Sequence, residues 1–239
     1  MRPPYLFGAV FLYSGGLAAE NNKVEKMRHI IWDWNGTLWD DTGLCLEINN
    51  HMLARRSLPP ITIEMYRDTL CFPVDQYYCR LGFDYDVDPY GSLAHEFIEE
   101  YTRRRFECPL HKGAKELIQR LHDQGCRQTV LSAYQHETLL QAIDYFQLRR
   151  FFRDIIGLND IYAAGKVENG IKYIASSGMK SSELFFIGDT IHDFEVAEAM
   201  GVECVLIAHG HNSRARLESC GVPVFDSLNA VGFRALLGV

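Results

Sequence analysis

Four short segments carry side chains of the types that phosphoryl chemistry uses. Asp33 follows the apolar run Ile30-Ile31-Trp32 and precedes the turn Asn35-Gly36-Thr37. Ser132 closes the apolar run that ends at Leu131, and Lys166 opens a helical pattern over Lys166–Ser177. Gly188-Asp189-Thr190-Ile191-His192-Asp193 follows the fully apolar Leu184–Ile187. Crowded carboxylates repel one another unless a hard cation sits between them, and an oxygen-rich site of this kind suits Mg²⁺. The lysine and the serine hydroxyl would then meet an anionic group beside that cation. A carboxylate is a competent nucleophile for phosphorus once the phosphoryl charge is neutralised. A lysine at a helix N-terminus adds its charge where backbone amides also point.

The elements that must position these groups follow from periodicity. His29–Trp34 reads as a first strand. Helical spacing at Lys112–Gln124 stops at Gly125, a strand follows at Arg127–Leu131, and Glu137–Phe146 is again helical. Beyond it come a strand at Asp154–Ile156, the helix Lys166–Ser177 and the strand Leu184–Ile187. A helix at Phe194–Met200, a strand at Cys204–Ile207 and a short strand at Val222–Phe225 complete the pattern. Such alternation predicts an α/β fold with a Rossmann-like, mainly parallel sheet covered on both faces by helices. The strand ends then converge on one crevice. Residues 42–110 break the alternation with helices at Gly43–Arg55, Ile63–Leu70, Val74–Leu81 and Gly91–Arg105. They predict an all-helical cap domain inserted after the first strand, over a core of residues 27–41 and 111–239.

In order and spacing, Asp33–Thr37, Ser132, Lys166 and Gly188–Asp193 resemble the four signature motifs of the haloacid dehalogenase-like hydrolases. The helical insert is similar to the cap of the phosphoglycolate phosphatase and β-phosphoglucomutase branch. The resemblance implies that Asp33 is a nucleophile forming an aspartyl-phosphate. It implies that Ser132 and Lys166, with Gly36 and Thr37, hold the phosphate. It further implies that Mg²⁺ is held by Asp33, Asp189, Asp193 and the backbone carbonyl of Asn35.

Asn35 departs from that pattern, because phosphatases of the family usually carry a second aspartate there as general acid and base. An amide has no titratable proton, and one proton-transfer catalyst is worth a factor of about 10²–10⁴. Three consequences stand side by side: a preference for good leaving groups such as acyl phosphates, a substitute acid such as His192, or a phosphate-binding pseudoenzyme with a regulatory role. Phosphoryl transfer to another acceptor, as in the mutases, is a further alternative. Asp40 and Asp41 read as solvated or helix-capping residues of the linker. Paired Asp189 and Asp193 argue against the metal-free dehalogenases. The phosphonate-cleaving branch needs a cap lysine, and no lysine stands between Lys26 and Lys112.

In the insert, Phe72 of Cys71-Phe72-Pro73-Val74 is similar to a substrate-specificity loop, with Tyr77, Arg80 and His192 as further candidates for substrate contact. Asp84–Asp88 mimics a calcium loop but has Pro89 and His95 where glycine and glutamate belong. His209-Gly210-His211-Asn212 is read as a loop bordering the site without a metal role. A net charge of −7 argues against general nucleic-acid or anionic-membrane binding. Seven scattered cysteines with no C-x-x-C pair fit reduced thiols in a cytoplasmic protein. Residues 1–26 are expected to lie outside the fold, with translation starting at Met27; a secretory signal over residues 1–19 is the competing reading. The expected activity is Mg²⁺-dependent hydrolysis of a small phosphorylated metabolite.

Overall fold

The computed structural model describes residues 29–159, 165–237 and 239. The expectations about a start at Met27 or a secretory signal fall on residues outside the described ones.

The chain begins with β1 (His29–Trp32) and passes at once into a helical insert. The insert comprises α1 (Thr42–Arg55), α2 (Ile63–Thr69), α3 (Val74–Leu81) and α4 (Tyr90–Arg104). Alternation follows: α5 (Ala114–Asp123), β2 (Arg127–Gln135), α6 (His136–Tyr145), β3 (Asp154–Leu158), α7 (Lys166–Ser177) and β4 (Leu184–Gly188). The order closes with α8 (Ile191–Met200), β5 (Glu203–Ile207), α9 (Arg214–Glu218), β6 (Val224–Phe225) and α10 (Val231–Leu237). The six strands form one sheet in the order β3-β2-β1-β4-β5-β6, and every pairing is parallel. The α/β class is as the sequence predicts.

A parallel sheet needs cover on both faces, which is why β1 reads as an unbroken apolar run. Successive side chains of that run point to opposite faces. Ile30 and Trp32 pack with Leu117, Ile118, Leu139 and Ile143 of α5 and α6. Ile31 packs on the other face with Tyr173, Val196 and Met200 of α7 and α8. From β1 the strand order runs outward through β2 to β3 on one side and through β4 to β6 on the other. That reversal makes the β1/β4 boundary a topological switch point, where a crevice opens beyond the strand C-termini.

The insert leans on the core through the segment after β5. Arg67 of α2 donates to the carbonyls of Gly210 and His209, both at 2.8 Å. Arg216 of α9 donates to the Leu70 carbonyl at 2.6 Å. Within the insert, Ile48, Met52 and Leu53 of α1 and Leu93 of α4 are fully buried in the apolar core.

Two expectations need correction. β2 does not end at Ser132; it runs on to Gln135, where a register shift lets Gln135 pair with Leu158 of β3. α9 and α10 were not expected, because each spans only two turns or fewer and carries no long apolar period.

Candidate active site

The loop after β1 is folded back on itself. The Leu38 and Trp39 amides both donate to the Trp34 carbonyl, at 3.0 and 2.9 Å, and the Gly36 amide donates to the Trp39 carbonyl at 2.8 Å. Trp39 also bridges to Asn35 and to Leu110. Gly36 has φ +76°, and a Cβ there would stand 2.3 Å from Asp189 Oδ2. Only glycine permits both the turn and that approach.

Asp33 leaves β1 with its amide donating to the Ile187 carbonyl at 2.8 Å, which ties it to the end of β4. Lys166, the first residue of α7, extends its ammonium between two carboxylates. It stands 2.5 Å from Asp33 Oδ1 and 2.5 Å from Asp193 Oδ1. Asp193 belongs to the first turn of α8, where a reciprocal capping box with Thr190 fixes it. Its Oδ2 accepts from the Asp189 amide, the Thr190 amide and the Thr190 hydroxyl. Asp189 accepts from the Thr37 hydroxyl at 2.7 Å and from the His211 amide at 2.6 Å. The carboxylate oxygens of Asp33, Asp189 and Asp193 lie within 4.8 Å of one another, and all three residues are buried.

Charge in this cluster is unbalanced. Burial lifts Asp33 well above the usual carboxylate range and Asp193 adds to the effect, which Lys166 only partly offsets. Burial likewise lifts Asp189, to about 6. Burial also opposes ionisation of Asp193, but Lys166 and the Thr190 hydrogen bond outweigh it and hold that carboxyl low. The two partners of one ammonium thus differ: among the described residues Asp193 has three further donors and Asp33 none, and Asp33 is also repelled by Asp193 and Asp189. Three buried carboxylates served by a single ammonium form a donor set that a hard divalent cation fits.

A second cluster adjoins the first. Asn35 donates from Nδ2 to Asp41 Oδ2 and to the Tyr101 hydroxyl, both at 2.8 Å. Asp41 Oδ2 also accepts from Tyr101 at 2.7 Å, and Oδ1 accepts from the Gly36 amide at 2.9 Å. His211 Nε2 stands 3.3 Å from Asp41 Oδ1, and His211 Nδ1 stands 2.9 Å from the Tyr66 hydroxyl. Burial works against the charge on both Asp41 and His211, yet each holds the other ionised. Asp41 lies below the usual range and His211 is raised to about 9.

Asp41 therefore corrects the sequence reading. It occupies the position before α1, but its side chain makes no capping bond and is 1% exposed within the site. Asp40 is exposed, as expected. His211 borders the site and lies at ligand spacing from Asp41 and Cys45. The Asp41 oxygens already face five donors, the Cys45 thiol at 3.8 Å among them, which leaves that trio satisfied without an ion.

Above both clusters lies a cavity of about 200 Å³, lined by Asp33, Asn35, Ser132, Lys166 and Asp193 on the sheet side. Phe72, Tyr77 and His192 line it too, and Phe72 stacks on His192 with ring centroids 4.7 Å apart. Arg80 does not line it; its guanidinium is exposed and reaches the Thr69 carbonyl at 3.4 Å. Gly36 and Thr37, expected at the phosphate, are not among the lining residues either. The Thr37 hydroxyl is engaged by Asp189, and the Gly36 amide faces Trp39 and Asp41. Tyr101 went unnoticed as a site residue, and His211 was read only as part of a bordering loop, because only the fold brings them to Asn35 and Asp41.

The family model described as Haloacid dehalogenase-like hydrolase matches residues 30–207. The chain belongs to this family. The chain is similar to phosphoglycolate phosphatase of Pseudomonas fluorescens strain Pf-5, with 24% identity over 213 residues, 85% of this chain and 78% of that protein. Among solved structures it is similar to a haloacid dehalogenase-like family hydrolase from Streptococcus pneumoniae, at TM-score 0.72 and 16% identity. That match covers 84% of this chain and 94% of that one. CbbY from Rhodobacter sphaeroides in complex with phosphate superposes at TM-score 0.68 and 17% identity, covering 89% and 100% of the two chains. The recognition made from the four motifs, and the hydrolase class it implied, are borne out.

Proposed function

We propose that this hydrolase is a phosphatase of small phosphorylated metabolites and works through an aspartyl-phosphate on Asp33. The observation that carries the reading is the buried Asp33–Lys166–Asp193 chain beside Asp189, at the switch point and open to the cavity. In this reading residues 42–110 act as a cap domain over a core of residues 27–41 and 111–239.

Asp33, Asp189, Asp193 and the backbone carbonyl of Asn35 would hold Mg²⁺, which when bound supplies positive charge to the phosphoryl oxygens and favours ionised Asp33. Asp33 attacks phosphorus, and the bond to the leaving oxygen breaks. Lys166 and Ser132 bind phosphoryl oxygens during the transfer. Both Nδ2 hydrogens of Asn35 are engaged by Asp41 and Tyr101, so the amide presents Oδ1 as its remaining polar atom. Oδ1 accepts a hydrogen bond and so orients the water that attacks the aspartyl-phosphate, as a glutamine does in some nucleotide hydrolases. It cannot protonate a leaving group.

The test is turnover of a phosphomonoester panel and acetyl phosphate with Mg²⁺, alongside Asp33→Asn. Release of phosphate by the native protein and none by the variant supports the reading. Retained phosphate binding without turnover of any compound would instead favour a phosphate-binding regulator.

A further inference from the structure

We propose that the substrate is a small aryl phosphate, the phosphate monoester of a phenol. The proposal rests on the phosphatase reading above and names the substrate class of that same site. Two features point to it.

The first is the cavity wall. On the insert side it is built from Tyr66, Tyr77, Tyr78, Tyr90, Phe97 and Tyr101. Among the described lining residues the cationic candidates are Lys166, His192 and His211. Lys166 is engaged by Asp33 and Asp193, His211 by Asp41, and His192 stacks on Phe72 and faces Glu195 at 3.1 Å. A substrate with a second anion, such as the carboxylate of phosphoglycolate, would bury that charge against rings without a partner, which is strongly unfavourable. An aromatic ring instead finds edge and face contacts. The volume of about 200 Å³ suits one ring, since benzene enters cavities of about 150 Å³.

The second feature is the orientation of Asn35. With Nδ2 turned to Asp41 and Tyr101, the site offers the leaving oxygen no proton from position 35. A phenol, with pKa about 10, departs as its anion far more readily than an alcohol whose acidity resembles that of water, about 15.7. The step balances without an acid. An Asp33 oxygen bonds to phosphorus, the P–O(aryl) bond breaks, and its electron pair leaves on the aryl oxide. Water then bonds to phosphorus, the Asp33–phosphorus bond breaks, and the proton released by the water ends on the aryl oxide through solvent.

The experiment compares phenyl phosphate, 4-hydroxyphenyl phosphate, phosphoglycolate and acetyl phosphate with Mg²⁺. For phenyl phosphate, kcat/KM is expected to exceed that for phosphoglycolate by about 10²–10⁴, the size of one missing proton-transfer catalyst. KM for phenyl phosphate is expected to fall at least about tenfold below that for acetyl phosphate, which has a good leaving group but no ring. Rates across substituted phenyl phosphates are expected to depend steeply on phenol pKa, and less steeply in Asn35→Asp/Asp41→Asn. Ile98→Arg, which brings a cation to the cavity wall, is expected to shift preference toward phosphoglycolate. Asp33-dependent turnover of acetyl phosphate, with phosphoglycolate equal to or better than phenyl phosphate, would overturn the aryl assignment and leave the phosphatase reading intact. No Asp33-dependent turnover of any of the four would overturn both.

Discussion

The sheet side and the insert side of the crevice follow opposite rules. On the sheet side, Asp33, Lys166, Asp189 and Asp193 are buried ionisable groups, with Lys166 between two carboxylates and backbone amides fixing Asp189 and Asp193. On the insert side, Tyr77, Tyr78 and Phe97 present rings, and among the described lining residues no lysine or arginine accompanies them. In the reading proposed above, reactivity is concentrated where strand ends and helix N-termini converge, and selectivity belongs to the insert helices. Asn35 and Asp41 sit at the seam, joined to Tyr101 of α4.

Several substitutions break or sharpen this division, in decreasing order of effect. Asp33→Asn is expected to lower kcat by a factor on the order of 10⁴ or more while inorganic phosphate still binds, checked by steady-state kinetics and calorimetry. Lys166→Met leaves two carboxylates of a buried ion-pair chain without their cation, and urea unfolding without Mg²⁺ is expected to show a loss of about 3–5 kcal/mol.

The seam is expected to respond to pH. His211 is raised from 6.5 to about 9, so the stability it contributes is complete below pH 6.5 and lost as pH rises through about 9. Asp41 lies below its ordinary value, so its contribution is present at neutral pH and lost in acid. Urea midpoints measured across that alkaline window should fall in the native protein and change less in Asp41→Asn. Gly36→Ala forces a Cβ toward Asp189 at positive φ, with an expected cost of about 1–3 kcal/mol in unfolding free energy. Arg80→Ala, on the exposed side of α3, should change neither KM nor stability by more than about 0.5 kcal/mol.

The division also separates what local pattern reveals from what it hides. The sheet, the order of its helices, the strand ends before Asp33 and Asp189, Ser132 within β2 and the helix start at Lys166 follow from apolar runs broken by polar residues, a signal that is local in sequence. The fate of Asp41 does not. Its neighbour Asp40 is exposed while Asp41 is buried, because the turn anchored by Trp39 brings residue 41 back over Gly36 and Asn35. Local rules favoured a helix cap, and a tertiary ion pair with His211, 170 residues further along, decided otherwise. An amide at position 35 with an acid six residues later was the available clue, and it points to Asp41 only once the loop's return path is known. The extension of β2 to Gln135 was hidden for a related reason, since its pairing with Leu158 depends on a register shift between strands.

The most direct test is to quench the protein during turnover of acetyl phosphate with Mg²⁺ and map the phosphoryl group by peptide mass spectrometry. A phosphoryl group on the peptide bearing Asp33, absent in Asp33→Asn, is the expected result. Steady turnover with no phosphoryl group on Asp33 at any quench time, or undiminished turnover by Asp33→Asn, would contradict a covalent role for this residue.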